Sequence, residues 1–226
     1  IKKDKIMKQI KITLIGTLAV LVSVLTSSVA ADTYGIGVKG AVTQASTSGN
    51  EVLTESATRQ SGSAQEVGVV PSIFLEYNHD AGYTVGLEYI PMEVELGAKT
   101  STRSDWTSAS NTTDSNVSNK VEAELADHLT LYVEKDFGGA FFKGGVSSVK
   151  VKTKENLGTG SSYGDKTVFG GLVGIGYKAT LAGNAFYKVG IDHTNYQSVR
   201  LESDAGNVVN AQVDTTAGYV AVGMAF

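Results

Sequence analysis

The sequence predicts an all-β protein: an eight-stranded antiparallel up-and-down transmembrane β-barrel, preceded by a cleaved signal peptide. Three observations point there. Apolar and polar residues alternate through successive runs, and no segment holds a helical period over two turns. Connections between the runs are alternately long and tight, which matches a barrel with long loops at one end and short turns at the other. The face opposite the apolar one is charged, and a charged lumen places the apolar face outside, where only lipid suits it.

The N-terminus supplies the export signal. Met7 is the expected start, followed by Lys8 and Lys11, an apolar run from Ile12 to Leu25 and the small residues Ser27, Ser28, Val29, Ala30 and Ala31. Residues 1–31 are therefore assigned to a signal peptide with upstream residues, cleaved after Ala30 or Ala31, and residues 32–226 to the barrel. The apolar run is shorter than the ~20 residues of a spanning helix. Its removal takes five Lys and one Asp from totals of 19 basic and 23 acidic residues, which leaves 14 and 22. So acidic a chain would repel nucleic acid, and none is expected as a partner. With 26 Gly, 2 Pro and no Cys, the chain has neither a disulfide framework nor a thiolate metal site.

The first strand, Tyr34 to about Thr43, sets Tyr34, Ile36, Val38 and Val42 against Gly35, Gly37, Lys39 and Ala41, and a polar loop is expected from Gln44 to Glu66. The second, Val67 to Asn78, carries Val67, Val69, Ile73, Leu75 and Tyr77 on one face and ends in the turn His79–Gly82. The third begins with Tyr83, Val85, Leu87 and Tyr89 in phase and then switches to Ile90, Met92, Val94 and Leu96. A β-bulge at Pro91 is expected to keep both sets outward. Residues 97–119 then form a Ser/Thr/Asn-rich loop.

The fourth strand, Lys120 to Lys135, faces Leu125, Leu129, Leu131 and Val133 outward. After the turn around Gly138 and Gly139, the fifth runs from Phe141 to Glu155 with a second slip at Ser147–Ser148. The sixth turns Phe169, Val173, Ile175 and Tyr177 outward and Gly170, Gly174, Gly176 and Lys178 inward. A turn at Ala182–Asn184, a seventh strand from Ala185 to Glu202 and a closing strand to Phe226 complete the count. Tyr34, Tyr77, Tyr83, Phe137, Phe141, Phe142, Phe186, Tyr187 and Phe226 cluster near the tight turns and termini, as an interfacial girdle would.

The last stretch, TTAGYVAVGMAF, places Val220, Val222, Met224 and Phe226 on one face and nearly bare residues on the other. This ending resembles the closing strand of Gram-negative outer-membrane barrels, and the whole of residues 32–226 is similar to the small eight-stranded barrels of the OmpA-transmembrane, OmpX and OmpW type. The resemblance implies a bacterial outer-membrane location, outer-membrane lipids as surroundings, and a monomer. It also implies periplasmic chaperones and a barrel-assembly machinery that recognises Phe226, Met224 and Val222 as an assembly signal.

For chemistry, the sequence offers little beyond charge in the lumen. Among its three histidines, His79 lies in a tight turn, while His128 and His193 sit beside Asp127 and Asp192, which alternation sends to the opposite face. No catalytic residue, cofactor or metal ligand is assigned, and no enzyme is expected. The expected lumen contents are Glu88, Glu93, Glu95, Glu122, Glu124, Glu134, Lys143, Lys150, Lys152, Lys154, Lys188, Asp192, Arg200 and Glu202. Counting back from a Gly138–Gly139 turn sets Glu134 opposite Lys143, and one residue added at Ser147–Ser148 sets Glu124 opposite Lys154. Eight strands enclose a space that side chains can fill. The expected role is structural or surface-interacting, with a small channel as alternative and an outer-leaflet acyl enzyme as a remote one.

Overall fold

In the computed structural model, one continuous antiparallel ladder runs from strand to strand and returns to its start. It describes residues 32–52, 59–107, 112–157, 162–203 and 206–226; the expected signal peptide lies outside them. The strands are β1 (Thr33–Val52), β2 (Arg59–His79), β3 (Tyr83–Ile90), β4 (Val94–Thr107), β5 (Thr112–Phe137), β6 (Ala140–Leu157), β7 (Lys166–Thr180), β8 (Ala185–Tyr196), β9 (Val199–Glu202) and β10 (Val208–Ala225). β3 and β4 form one barrel strand interrupted at 91–93, and β8 and β9 another interrupted at 197–198, so the wall has eight staves. Pairing of β1 with β10, from Gly35 opposite Ala225 to Val52 opposite Val208, closes it. In the lower barrel, closure removes the sheet edges that would otherwise invite pairing with other chains.

The tight turns follow from their residues. Gly138 and Gly139 have φ of 77° and 98°, the primed two-residue hairpin that only residues without a Cβ adopt freely. Asp136 Oδ1 accepts from the Gly138 N–H at 2.9 Å. His79 and Gly82 close their turn with a 3.0 Å bond from the Gly82 N–H to the His79 carbonyl.

Among the described residues, the long polar connections are strand and not loop. Gln44 pairs with Val67 and the ladder continues to Val52 opposite Arg59. Likewise Lys99 pairs with Val121, and pairing runs on to Thr107 opposite Thr112. Polar residues on both faces erase the period-two signal, yet a hairpin already registered by its lower half extends readily into water.

The barrel also reverses its polarity with height. Near the tight turns the outward set is apolar: Ile36, Val38, Ile73, Leu131, Val133, Val173, Ile175, Ile191, Val222 and Met224 are all exposed. Higher up, Ser148, Lys150 and Lys152 replace Phe142 and Val146 on the outer face of β6, while Val149 and Val151 turn inward and are buried. Val149 and Val151 pack with Ala45, Leu125, Val168, Tyr196, Val199 and Val213 in an apolar core inside the upper barrel. This corrects the expected outward switch on the third strand: Ile90, Met92 and Val94 line the lumen, continuing the face of Thr84 and Glu88 without a slip. The apolar set moves inside because the medium outside changes from lipid to water.

The girdle needs one correction as well. Phe141 and Phe186 are buried inside with Phe74 and Tyr219. Outside remain Tyr83, Tyr187, Tyr34, Tyr77 and Phe226, with ring centroids 5.5 and 6.3 Å apart around Tyr34, and Phe137 against Phe142 at 5.8 Å.

Candidate functional site in the barrel lumen

Alternation brings one or two charged side chains from each of several strands to the same two levels of the lumen. In the lower layer, Lys188 on β8 contacts Glu76 on β2 and lies 2.6 Å from Glu134 Oε2 on β5. The Tyr132 hydroxyl donates to Glu76 Oε1 at 2.7 Å, and Lys178 Nζ stands 3.7 Å from Glu76 Oε2. In the upper layer, Lys39 on β1 lies 2.5 Å from Glu88 on β3, and Lys143 on β6 lies 3.0 Å from Asp192 on β8. Weaker diagonals, Lys39 to Asp192 at 3.5 Å and Lys143 to Glu88 at 3.7 Å, complete a four-membered ring. Ser72 Oγ donates to Glu88 at 2.7 Å.

Each layer holds two carboxylates and two ammonium groups, so charge balances within it. Cation–π contacts join the layers: Lys143 Nζ lies 4.2 Å from the Tyr132 ring centroid and 5.4 Å from that of Tyr219. The void left between the layers is only about 10 Å³, at the lower limit of what one water needs. Above the upper layer lies a larger cavity of about 70 Å³, floored by Lys39, Glu88 and Asp192 and walled by Val70, Leu125 and Leu172.

Glu134 and Lys143 are cross-strand partners in the β5–β6 ladder and both are buried, but neither bonds the other: Glu134 turns to Lys188 and Lys143 to Asp192. The second expected pair is corrected. The extra residue lies on β5, where Asp127 has φ of 51° and the register shifts between Ala126 and Leu129, not on β6. Glu124 therefore opposes Lys152 instead of Lys154, whose side chain lies outside those described. Lys152 points away from the lumen and pairs with Glu93, and Lys150 lies 2.8 Å from Asp165. Arg200 and Glu202 are likewise exposed and pair with each other at 3.6 Å. Glu95 is exposed too, and the Glu122 side chain lies outside those described.

Sequence reasoning missed Glu76, whose side chain is 0% exposed. Its signal was present: it sits between Leu75 and Tyr77, both outward, and so had to point in. The three histidines have separate surroundings. His128 Nε2 is 3.0 Å from the Tyr196 hydroxyl, His193 Nδ1 is 3.0 Å from Thr216 Oγ1, and His79 stands beside Asp80 in an exposed turn. Val222, Met224 and Phe226 all face outward and are exposed.

An exposed apolar belt around a balanced ionic interior defines a membrane-spanning β-barrel of the outer-membrane type. No family model matches the chain, and no curated protein is similar to it. Solved structures with a similar fold include the outer membrane protein OprG from Pseudomonas aeruginosa, at 15% identity over 87% of this chain and 96% of that one, with a TM-score of 0.47. Neisserial surface protein A is similar at 12% identity over 83% and 97% of the two chains, with a TM-score of 0.37. The outer membrane protease OmpT from Escherichia coli is similar at 11% identity over 89% and 99%, with a TM-score of 0.44.

Proposed function

We propose that this outer-membrane barrel has a structural and surface-presenting role, with its lumen held shut rather than open for conduction. The two balanced ion layers carry this reading. A through-path would have to break Lys188 from Glu76 and Glu134, and Lys143 from Asp192, at the same time, and separating one partner of a desolvated pair costs ~3–5 kcal/mol. What the barrel presents outside is the pair of long polar hairpins built from β1–β2 and β4–β5. Its partners in this reading are outer-membrane lipids throughout, and periplasmic chaperones and the barrel-assembly machinery during biogenesis; no catalysis is assigned. Refolded protein in a planar bilayer should show no steady open current. A channel for ions or small solutes is the second reading, favoured by the cavity above the upper layer, and a steady current in the wild-type protein would put it first.

A further inference from the structure

Among the described residues, one cluster brings imidazole and carboxylate groups close enough to hold a metal ion: Asp32, His79 and Asp80, whose donor atoms all lie within 4.8 Å of one another. Backbone register builds it. Thr33 pairs with Asn78, so one step further along the same ladder Asp32 stands across from His79, on the face that carries Tyr34 and Tyr77. Alternation would send Asp80 to the other face, but β2 ends at His79, and the turn frees Asp80 to bring its Oδ1 within 2.9 Å of His79 Nδ1.

Contacts outside the cluster hold the turn in place. The Gly82 N–H donates to the His79 carbonyl at 3.0 Å, Lys135 Nζ donates to the Ala81 carbonyl at 2.6 Å, and the imidazole stands edge-on to the Tyr77 ring with centroids 6.4 Å apart. The ring is thus oriented before any ion arrives. Its contact with Asp80 is not an ordinary hydrogen bond. The Ala81 N–H donates to Nδ1 at 3.1 Å, so Nδ1 offers a lone pair and the ring proton belongs to Nε2. An imidazole lone pair and a carboxylate oxygen, both acceptors, then stand side by side, and a shared cation relieves that arrangement. The spacing suits one: two donors 2.9 Å apart, each ~2.1 Å from an ion, subtend roughly 90° there, the angle between neighbouring ligands of a five- or six-coordinate ion.

We propose that Asp32, His79 and Asp80 bind one first-row divalent transition-metal ion, of the Zn²⁺ class, with water in the remaining positions. One imidazole and two carboxylates, in a chain without Cys, favour such an ion over Mg²⁺ and Ca²⁺, which prefer oxygen ligands throughout. The His79 and Asp80 side chains are 48% and 59% exposed, so the ion enters from water. It takes the Nδ1 lone pair from the Ala81 N–H and clips the start of β1 to the β2–β3 turn, two residues from the Tyr34–Phe226 closure. None of this depends on whether the lumen conducts.

The test uses untagged residues 32–226 refolded in phosphatidylcholine nanodiscs, titrated with Zn²⁺ and followed by calorimetry and amide NMR. One saturable site is expected, with amide shifts concentrated at Asp32, His79 and Ala81, the last because its N–H loses the Nδ1 acceptor. His79→Gln should abolish the site, and Asp32→Asn and Asp80→Asn should each weaken it by about tenfold or more. None of the three side chains is buried, so the variants are expected to fold, and a heat-dependent gel shift checks that they do. Zn²⁺ should raise the thermal midpoint of the wild type and leave that of Asp32→Asn unmoved, since the clip needs both strands. The same concentration of Mg²⁺ should leave the amides in place. Unchanged affinity in His79→Gln, with shifts at the exposed His193, would show adventitious binding to an imidazole and overturn the site. Unchanged affinity in Asp32→Asn would overturn the cross-strand clip, an equal response to Mg²⁺ would overturn the role of the imidazole, and the lack of a saturable isotherm would overturn the proposal outright.

Discussion

Glu134 and Lys143 face each other across the β5–β6 ladder, yet each carboxylate and ammonium reaches past the other to a different strand. Lys188 is the shared partner of Glu134 and Glu76, so it carries more of the lower layer than any other cation. Lys188→Met should therefore destabilise the folded barrel by ~3–5 kcal/mol, because it leaves two buried carboxylates facing each other. In double-mutant cycles, Glu134→Gln should couple strongly to Lys188→Met and only weakly to Lys143→Met. Urea unfolding in lipid measures both, and a larger coupling to Lys143 would mean that the carboxylate prefers its cross-strand neighbour.

Leu131 and Thr130 test which way the wall faces. Leu131 is 49% exposed on the outer surface, while the Thr130 hydroxyl lies 2.8 Å from that of Ser147 in the buried lumen. Leu131→Arg is expected to cost ~2–4 kcal/mol in lipid, the price of a cation near the middle of the hydrocarbon. Leu131→Met should be nearly neutral. Wild-type stability for the Arg variant would place this face away from lipid.

Phe226 joins the two ends of the barrel. Its N–H donates to the Tyr34 carbonyl at 2.9 Å, and its carbonyl accepts from the Tyr34 N–H at 3.0 Å. Deleting Phe226 removes both bonds and the exposed ring, whereas Phe226→Ala removes only the ring. Both variants should lower the yield of assembled barrel in outer-membrane fractions if the ring is recognised during assembly. Normal assembly of Phe226→Ala, with failure of the deletion, would assign the residue to seam closure alone.

Gly86 marks a close approach. A Cβ there would meet the Tyr132 ring at 2.2 Å, and that ring holds its hydroxyl on Glu76. Gly86→Ala should cost ~1–3 kcal/mol through overpacking, and Tyr132→Leu in the same chain should recover part of the loss. An additive result in unfolding experiments would mean that the glycine serves the backbone and not the ring.

Much of the lower barrel was legible because lipid outside and charge inside give every strand the same strict alternation. Ile36, Ile73, Leu131 and Val222 are outward and Lys39, Glu88, Glu134 and Lys188 inward, as the period of two requires. The upper half was not legible on that rule. On β6 the backbone keeps its phase from Phe141 to Val151, and only the chemistry of the two faces is exchanged. From the sequence, such an exchange is indistinguishable from an inserted residue. The actual bulge, at Asp127 on β5, left no mark on hydropathy because it falls at the level where outer residues turn polar. The lumen pairing was legible as far as backbone register. Which ammonium bonds which carboxylate depends on reach across the interior, and Lys188 bridges strands that are not neighbours in the wall.

The reversal of polarity with height fixes how thick a bilayer this protein tolerates. On β1 the outward apolar band runs from Tyr34 to Val42, and on β7 from Tyr177 to Phe169. Eight residue steps at ~3.3 Å, tilted by ~40°, span roughly 20 Å, against a usual band of about 25 Å. The protein cannot lengthen that band, since Lys150, Lys152 and their acidic partners begin directly above it. Where the band is this short, hydrophobic mismatch falls on the lipid rather than on the barrel. Insertion should accordingly be fastest in short-chain bilayers and fall steadily as the acyl chains lengthen.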